Sequence, residues 1–345
     1  MKAQVIRMFG DPAVFETAEM PVPELIPGHV LVKVMASSVN PVDFKIRAGQ
    51  APAIAHPFPA ILNGDFSGVV ISVGEQVTRW KTGDAVFGCA GGVGSLQGAL
   101  AEFMLVDERL IARKPDQIDF QTAALYPLAF ITAWESVMSP GFIQAGDKVL
   151  IHGASGGVGH LAAQLAHLKG ATVYGTVTSE EKGLVAKQFG TDIVIVSGKD
   201  QMAAAIEKET AGCGFDAVID TIGNQHLLES FEAVRLNGSV CTINARTTLD
   251  IGLMHQKALT LRVVFMLLPM LHDSGREQHG AILREAASLM ESGRIRIHQA
   301  ERSFSFSEVD EAHRYLDSHQ AVGKISLVNR WNPASSHGDD VVGLS

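Results

Sequence analysis

The amino-acid sequence predicts an α/β protein in which a mostly β N-terminal domain precedes a doubly wound parallel sheet domain. The chain has 345 residues, which is more than one compact core usually holds. Short alternating segments fill its first third, and apolar strands then alternate with amphipathic helices. The second pattern is typical of a parallel sheet that is covered on both faces.

The first domain is predicted from five short segments before about residue 121. Each has apolar residues at roughly every second position and is flanked by turn-forming residues, as half-buried strands are. We therefore expect a mostly antiparallel β region. The segments are AQVIRMF, HVLVKVMASSV, FSGVVISVG, DAVFGCA and ALAEFMLVD.

The second domain is predicted from Lys148 onward, where apolar strands alternate with helical stretches such as HLAAQLAHLK. Six strands in this rhythm predict a Rossmann-type domain. A helical stretch, GAILREAASLMESG, and a short strand, GKISLVN, follow it. The six strands are KVLIH, ATVYGT, DIVIV, FDAVID, GSVCTIN and LTLRVVFM.

Charge and cysteine content argue against several classes of function. The formal net charge is −9, and the 28 Lys and Arg residues form no cluster, so neither a nucleic-acid surface nor an anionic membrane surface is expected. Cys89, Cys213 and Cys241 are too few for a disulfide framework or a four-thiolate zinc site. We find no leader-like segment and no apolar run of membrane-spanning length, and therefore expect a cytoplasmic protein.

The sequence GGVG occurs twice, and its context predicts that only the second copy holds a phosphate. That copy follows the strand KVLIH and runs directly into a helix, an arrangement that exposes backbone N–H groups at a helix N-terminus. The strand ATVYGT completes the βαβ frame, and Ala replaces the first glycine of G-x-G-x-x-G. The predicted phosphate-binding residues are Ala154, Ser155, Gly156, Gly157, Val158 and Gly159.

The first copy, Gly91–Gly94, has no second strand of a βαβ unit after it. We expect it to be a mobile surface loop.

The end of the strand ATVYGT bears on the choice of nicotinamide cofactor. An NAD site places a carboxylate there, whereas an NADP site uses small donors and a cation. Here Thr178 and Ser179 end the strand, and Lys182 lies one turn into the next helix, which favours NADPH over NADH. Ser179 also fits a helix N-cap, and Glu180 could instead bind the ribose and favour NAD.

The whole chain apart from its tail resembles the medium-chain dehydrogenase/reductase superfamily. GDFSGVVISVGEQV matches the family's G-H-E-x-x-G-x-x-x-x-x-G-x-x-V pattern, with Gly68, Gly74 and Val77 in place. The resemblance implies a GroES-like, mostly β N-terminal domain, a Rossmann domain and a return to the first domain. We expect the GroES-like catalytic domain at 1–124 and 268–330, the Rossmann nucleotide-binding domain at 125–267, and a flexible tail at 331–345.

The zinc ligands of the family's alcohol dehydrogenases are missing. The position of the pattern's His is Gly64, followed by Asp65. The stretches ASSVNPVDFKIRAG and PLAFITAW, where the other two ligands fall, contain no Cys. Zinc requires three or four convergent thiolate or imidazole ligands, so we expect no metal.

With these departures the chain resembles the zinc-independent branch of quinone oxidoreductases and related enone and alkenal reductases. The resemblance implies hydride transfer from NADPH to a quinone or an activated C=C bond. Two alternatives stay open, an NADPH-binding sensor or structural protein with little turnover and a metal-free alcohol dehydrogenase. The expected partners are a small quinone or enone substrate and a second copy of the chain, paired as a homodimer through the strand in LTLRVVFMLLPM.

The same resemblance implies that SSVNPVDFKIRAG lines the nicotinamide. Asn40 is expected to form hydrogen bonds in the active-site cleft, and Asp43 to hold the loop. Lys45 stands where many quinone reductases carry an aromatic residue, and its ammonium could stabilise a developing negative oxygen or deliver the proton. Lys45 also fits a solvated or phosphate-contacting charge.

Three further residues are predicted at the cofactor site. Thr132 matches a position near the nicotinamide, and Asn244 follows a strand at the carboxyl edge of the parallel sheet, where ligands bind. Met266 follows the last strand, where it fits a pocket wall, a core contact or a dimer contact.

Overall fold

The structure is a computed structural model that describes residues 1–318 and 320–331. Of the predicted tail at 331–345, only Trp331 lies within the described residues. None of the helices in those ranges has the length and apolarity needed to cross a membrane.

The N-terminal region is mostly β, as predicted. Its strands β3 to β5 and β7 pair antiparallel in chain order, and β6 pairs antiparallel with β3. The elements are β1 (Lys2–Ile6), β2 (Phe15–Glu19), β3 (His29–Val39), α1 (Pro41–Arg47), β4 (Asp65–Val73), β5 (Ala85–Cys89), β6 (Phe103–Asp107), β7 (Ile111–Arg113) and α2 (Phe120–Ala123).

A six-stranded parallel sheet with its connecting helices follows. The elements are α3 (Pro127–Val137), β8 (Lys148–His152), α4 (Gly159–Leu168), β9 (Thr172–Val177), α5 (Glu180–Gln188), β10 (Ile193–Val196), α6 (Lys199–Thr210), β11 (Phe215–Asp220), α7 (Leu227–Ala233), β12 (Val234–Thr242), α8 (Gly252–Lys257) and β13 (Thr260–Val263).

The strand order of this sheet is β10-β9-β8-β11-β12-β13, and every neighbouring pair is parallel. This is the doubly wound Rossmann order, so the predicted fold class is confirmed. Successive residues of β8 pack into different cores, because Val149 and Ile151 join one hydrophobic cluster while Leu150 joins another. Burial on both faces explains why this strand is apolar without alternation.

The chain then returns to the first sheet. Strand β15 pairs antiparallel with β3, and β14 pairs parallel with β15. This return brings residues from the end of the chain beside α1 and the glycine-rich loop after β8. The remaining elements are α9 (Leu268–His272), α10 (Arg276–Glu291), β14 (Phe304–Ser305), α11 (Val309–Asp317) and β15 (Ile325–Val328).

The first GGVG does not form the surface loop that we expected. Gly91, Gly92 and Val93 are buried in a tight turn. Gly92 has φ of +74° and packs its backbone against Asn63, and a Cβ on Gly91 would overlap the carbonyl oxygen of Gln97. The glycines are therefore explained by close backbone packing within the first domain.

Candidate active site

The second glycine-rich loop connects β8 to α4 and presents backbone N–H groups at the start of that helix. The Gly156 N–H donates to the Gly153 carbonyl over 2.9 Å, which closes a turn. Within the described residues, the N–H groups of Gly157, Val158 and Gly159 have no backbone acceptor outside the helix. Such free donors at a helix N-terminus suit a pyrophosphate.

Gly159 lies where a side chain cannot fit, since a Cβ there would overlap the Gly153 carbonyl oxygen. Ala154 is tolerated at the first glycine position because its fully buried methyl occupies space left by Gly175 on β9. The N–H of Ala154 is already bonded to the Thr176 carbonyl over 3.0 Å. Ser155 is buried with it, so the half of the loop that begins at Gly156 is the part open to a ligand.

His160 fixes the loop from behind and was not predicted to have a role. Its Nδ1 lies 2.7 Å from the Gly156 carbonyl oxygen, and its Nε2 accepts the His298 N–H over 3.0 Å. Burial lowers the pKa of His160 to about 4, so the ring is neutral at pH 7, with the proton on Nδ1. The imidazole thus ties the loop to the returning C-terminal segment.

The residues predicted to select the cofactor lie together at the carboxyl end of β9. The Ser179 hydroxyl accepts the Lys182 N–H over 3.3 Å and caps α5. Thr178 is exposed and Lys182 is half-buried. A role for these three residues at the cofactor's ribose remains a prediction.

A cleft of about 620 Å³ lies between the two sheets. Five of the predicted site residues line it, and these are Lys45, Thr132, Val158, Asn244 and Met266. The Thr132 hydroxyl donates to the Leu128 carbonyl over 2.7 Å, so its proton is already bonded within the helix α3. The Asn244 amide nitrogen donates to the Ile222 carbonyl over 3.2 Å.

Asn40 and Asp43 do not line the cleft and instead belong to a buried polar cluster beside it. The Asn40 amide nitrogen donates to Asp65 Oδ2 over 2.9 Å, and its amide oxygen accepts a hydrogen bond from the Lys324 ammonium. Asp43 Oδ2 accepts the Asn40 N–H over 2.8 Å at the start of α1. All four side chains are at most 4% exposed.

Asp65 organises this cluster. Its Oδ2 also accepts the Ser38 hydroxyl over 2.8 Å, and its Oδ1 accepts the Leu128 N–H over 2.8 Å. Lys324 Nζ lies 3.5 Å from Asp65 Oδ2. The cluster therefore joins β3, β4, the start of α3 and the segment before β15.

Burial governs protonation in the cluster. It raises the pKa of Asp43 to about 7, with the nearby Asp65 charge adding to the rise and the Asn40 N–H opposing it. Burial also lowers the pKa of Lys324, an effect that the charges of Asp65 and Asp43 oppose. Near neutral pH the cluster can thus bind or release a proton at Asp43.

Lys45 is half-buried at the wall of the cleft, next to the exposed Arg246. Burial lowers the pKa of Lys45, and the positive charge of Arg246 lowers it further. A cation so placed loses its proton more readily than a lysine in water and can serve as an acid.

Sequence reasoning missed Lys324, Arg246 and the role of Asp65. Lys324 carries no local motif, and only the return of the chain to the first sheet brings it to Asn40. Arg246 could have been found because it follows Asn244 at the carboxyl end of a parallel strand, where ligands are expected.

Comparison with known proteins gives matches over both parts of the chain. A family model described as an alcohol dehydrogenase GroES-like domain matches residues 26–116, and one described as a zinc-binding dehydrogenase matches residues 189–327.

Three curated relatives illustrate the likeness. The 2-methylene-furan-3-one reductase of Solanum lycopersicum is 32% identical over 89% of this chain and 73% of its own. The chloroplastic NADPH-dependent alkenal/one oxidoreductase of Arabidopsis thaliana is 32% identical over 94% of this chain and 78% of its own. The quinone oxidoreductase of Homo sapiens is 30% identical over 73% of this chain and 75% of its own.

Solved structures share the whole architecture. An alcohol dehydrogenase superfamily protein from Novosphingobium aromaticivorans has a TM-score of 0.89 at 38% identity, covering 95% of this chain and 99% of that one. The quinone oxidoreductase of Escherichia coli, solved in complex with NADPH, has a TM-score of 0.86 at 25% identity, covering 95% and 100%.

A zinc ion, which one family description implies, does not fit the residues at the corresponding place. Asp65 occupies the acidic position of the pattern, but Ser38 and Asn40 already donate to its Oδ2 and Lys324 places an ammonium beside it. Across 1–318 and 320–331, no three His, Cys, Asp or Glu side chains are grouped to hold a metal ion.

Proposed function

Because the chain belongs to the zinc-independent, quinone oxidoreductase-like branch of the medium-chain dehydrogenase/reductase family, we propose that it reduces a quinone or an activated C=C bond with NADPH. The cleft between the sheets carries this proposal, because the glycine-rich loop of one domain and Lys45 of the other meet at its walls. Residues that can bind a dinucleotide thus face a group that can act on an acceptor.

The loop after β8 fits the cofactor's pyrophosphate, since within the described residues the N–H groups of Gly157, Val158 and Gly159 have no backbone acceptor outside the helix. Gly159 lets α4 begin directly against the Gly153 carbonyl. NADPH, when bound, supplies the hydride. The chain's own residues would hold the pyrophosphate on the N–H groups of Gly157, Val158 and Gly159, and the ribose end on Ser179 and Lys182. We propose that Thr132, Asn244 and Met266 flank the nicotinamide end of the cofactor site.

Reduction of an enone places a hydride on carbon and moves an electron pair onto the carbonyl oxygen, and a proton then completes the product. We propose that the Lys45 ammonium stabilises the negative oxygen and supplies the proton. Its lowered pKa favours that release. Asn40 and Asp43 act as positioning residues, because both are held in the buried cluster that precedes and begins α1.

The walls of the cleft are otherwise mainly apolar and limit access of water to the acceptor. Ile54, Leu128, Val264, Phe265 and Leu267 contribute to them. Excluding water strengthens the interaction of Lys45 with charge on the acceptor.

The test is the initial rate of NADPH consumption, with NADH in parallel, against an ortho-quinone and a simple enone, using chelator-treated protein. We expect turnover that prefers NADPH and is unchanged by the chelator. Tight NADPH binding without turnover would favour a sensor, and alcohol-driven reduction of NADP⁺ would indicate an alcohol dehydrogenase.

We also propose that the protein is a homodimer. β13 is an edge strand of the parallel sheet, and an edge offers unpaired backbone groups to a second copy. Ile251 and Leu268 expose apolar side chains in the segments that flank this strand. Light scattering on a size-exclusion column should give twice the chain mass of 36.8 kDa for the wild type and a lower mass for Leu268→Lys. A wild-type mass equal to that of one chain would refute the dimer.

A further inference from the structure

The cleft holds more positive charge than reduction of a neutral acceptor requires. Lys45 and Arg246 line it, and none of the lining residues in the part of the chain that the structure describes is an Asp or Glu. The excess is unexpected in a chain whose formal net charge is −9. Lys45 alone suffices for the charge that develops on a carbonyl oxygen.

Neither cation has the kind of partner that binds other cations of this chain. Lys257 donates to the carbonyls of Phe231, Glu232 and Val234, and Arg276 is paired with Asp107 over 2.8 Å. Over the described ranges, neither Lys45 nor Arg246 makes an ion pair or a side-chain hydrogen bond. Lys45 is half-buried, so its ammonium without an acceptor costs free energy that an anionic ligand would recover. Arg246 is exposed, and its guanidinium has donors in the fork geometry that matches a carboxylate.

The strand order separates Arg246 from the places expected to hold the cofactor's phosphates. The glycine-rich loop follows β8, and Ser179 and Lys182 follow its neighbour β9. Arg246 follows β12, which lies on the opposite side of β8 and two strands away, a distance of roughly 10 Å. The groups proposed to bind the pyrophosphate and the ribose phosphate thus follow other strands than the one before Arg246.

We propose that Arg246 recognises a permanent anionic group, such as a carboxylate, on the acceptor that is reduced in this cleft. The inference rests on the proposed function and narrows its substrate class to anionic enones or quinones with an apolar body. Lys45 then faces the reducible carbonyl, and Arg246 faces the carboxylate at the exposed end. Apolar side chains that line the same cleft, including Ile243 and Val263, contact the body of the acceptor.

The experiment compares the para-carboxylate of benzylideneacetone with its methyl ester, which share the same enone. Steady-state kcat/KM is measured for both acceptors at saturating NADPH with the wild type, Arg246→Gln and the control Arg284→Gln. Arg284 is exposed on α10 and does not line the cleft. We expect the wild type and the control to prefer the carboxylate, and Arg246→Gln to lose at least about tenfold of that preference.

At a pH where Lys45 is protonated in all three proteins, they should reduce the ester at similar rates, and added salt should weaken the wild-type preference. Equal losses for both acceptors in Arg246→Gln, a rise confined to the KM for NADPH, or a wild-type preference for the ester would each overturn the inference.

If the wild type reduces the ester but shows no preference between the two acceptors in kcat/KM, the inference is wrong and the proposed function is retained. If neither acceptor nor a quinone is reduced, the proposed function fails, and binding then decides the inference. The saturated acid and its ester are titrated calorimetrically into NADP⁺-loaded protein. Tighter binding of the acid that is lost in Arg246→Gln supports anion recognition, and equal binding of the two refutes it.

Discussion

Lys324 shows how one side chain can join the two functional halves of this protein. An ammonium that is 4% exposed is stable only when its protons are bonded and its charge is balanced. Asn40 supplies the acceptor and Asp65 the charge. A Cβ on Gly157 would lie 3.0 Å from Lys324 Cδ, so the same side chain packs against the glycine-rich loop.

Replacing Lys324 with Met should therefore weaken both folding and catalysis. The variant leaves the buried Asp65 without its balancing cation, and we expect a loss of about 3 kcal/mol in the free energy of unfolding. Asn40 also loses its donor, so kcat/KM should fall further than the fraction unfolded explains. Urea unfolding and steady-state rates measure the two effects, with the exposed Lys187→Met as control. Stability equal to that of the wild type would show that the ammonium is not needed.

The proposed role of Lys45 predicts how kcat/KM changes with pH. Only its protonated form can stabilise a negative oxygen or donate a proton, so kcat/KM should fall as pH rises through its pKa. Burial and the charge of Arg246 both lower that pKa. Removing the charge in Arg246→Gln should raise it and move the fall in activity to higher pH.

The profile of kcat/KM against pH, measured with a neutral enone, checks this shift. Lys45→Met should lack the basic limb altogether. If the limb is found unchanged in both variants, another group donates the proton.

The cleft brings together five of the residues singled out from the sequence, which are Lys45, Thr132, Val158, Asn244 and Met266. Val158, Asn244 and Met266 were proposed from their places next to strands and helices, whereas Lys45 and Thr132 were proposed from the family resemblance. Asn40 was expected in the cleft, yet its amide is bonded to Asp65 and Lys324. No rule of spacing could reveal that pair of bonds, because Lys324 is 284 positions away from Asn40.

The glycine-rich loop is the element whose shape depends most on a single residue. Gly159 begins α4, and the space that a Cβ would take there is filled by backbone atoms of Gly153 and Ala154. Ala154 shows that the pattern can tolerate a methyl group where the neighbouring strand carries Gly175. The tolerance is local, since no comparable space exists beside Gly159.

Gly159→Ala should accordingly impair cofactor binding. The added methyl must push the turn away from the start of α4, which misaligns the N–H groups there, and we expect at least about a tenfold rise in the KM for NADPH. Gly156→Ala should be milder, because its Cβ would lie 3.2 Å from the nearest atom, the Gly153 carbonyl oxygen. Direct titration of NADPH by fluorescence compares the two variants. Wild-type affinity in Gly159→Ala would refute the loop's proposed role.

Element predictions were accurate for the parallel sheet, where all six strand segments were identified from apolar runs. The first GGVG was misjudged because a glycine run looks alike in an open loop and in a crowded turn. Its burial depends on Asn63 and Gln97, contacts that the period of a strand does not encode.

At the level of the entire fold, the cleft exists because the C-terminal segment crosses back to the first sheet. His298 holds His160 behind the phosphate loop, while Lys324 holds Asn40 before α1. One returning segment thus fixes both walls. The family resemblance implied that the chain returns, but the contacts that fix the walls depend on its path through three dimensions.

Cofactor binding should therefore stabilise the whole molecule, and the size of the effect should report cofactor choice. A ligand that binds only the native state adds about 2.7 kcal/mol at a concentration of 100 times its Kd. If Ser179 and Lys182 receive the phosphate on the NADPH ribose, NADPH should raise Tm by several degrees more than equimolar NADH does. Lys182→Met should remove most of that difference, because NADH makes no use of the cation, whereas Lys187→Met on the same helix should keep it. Scanning calorimetry of the three proteins with each cofactor decides the matter. Equal shifts with NADPH and NADH in the wild type would mean that the end of β9 does not select the cofactor, and Glu180 would then become the residue to test.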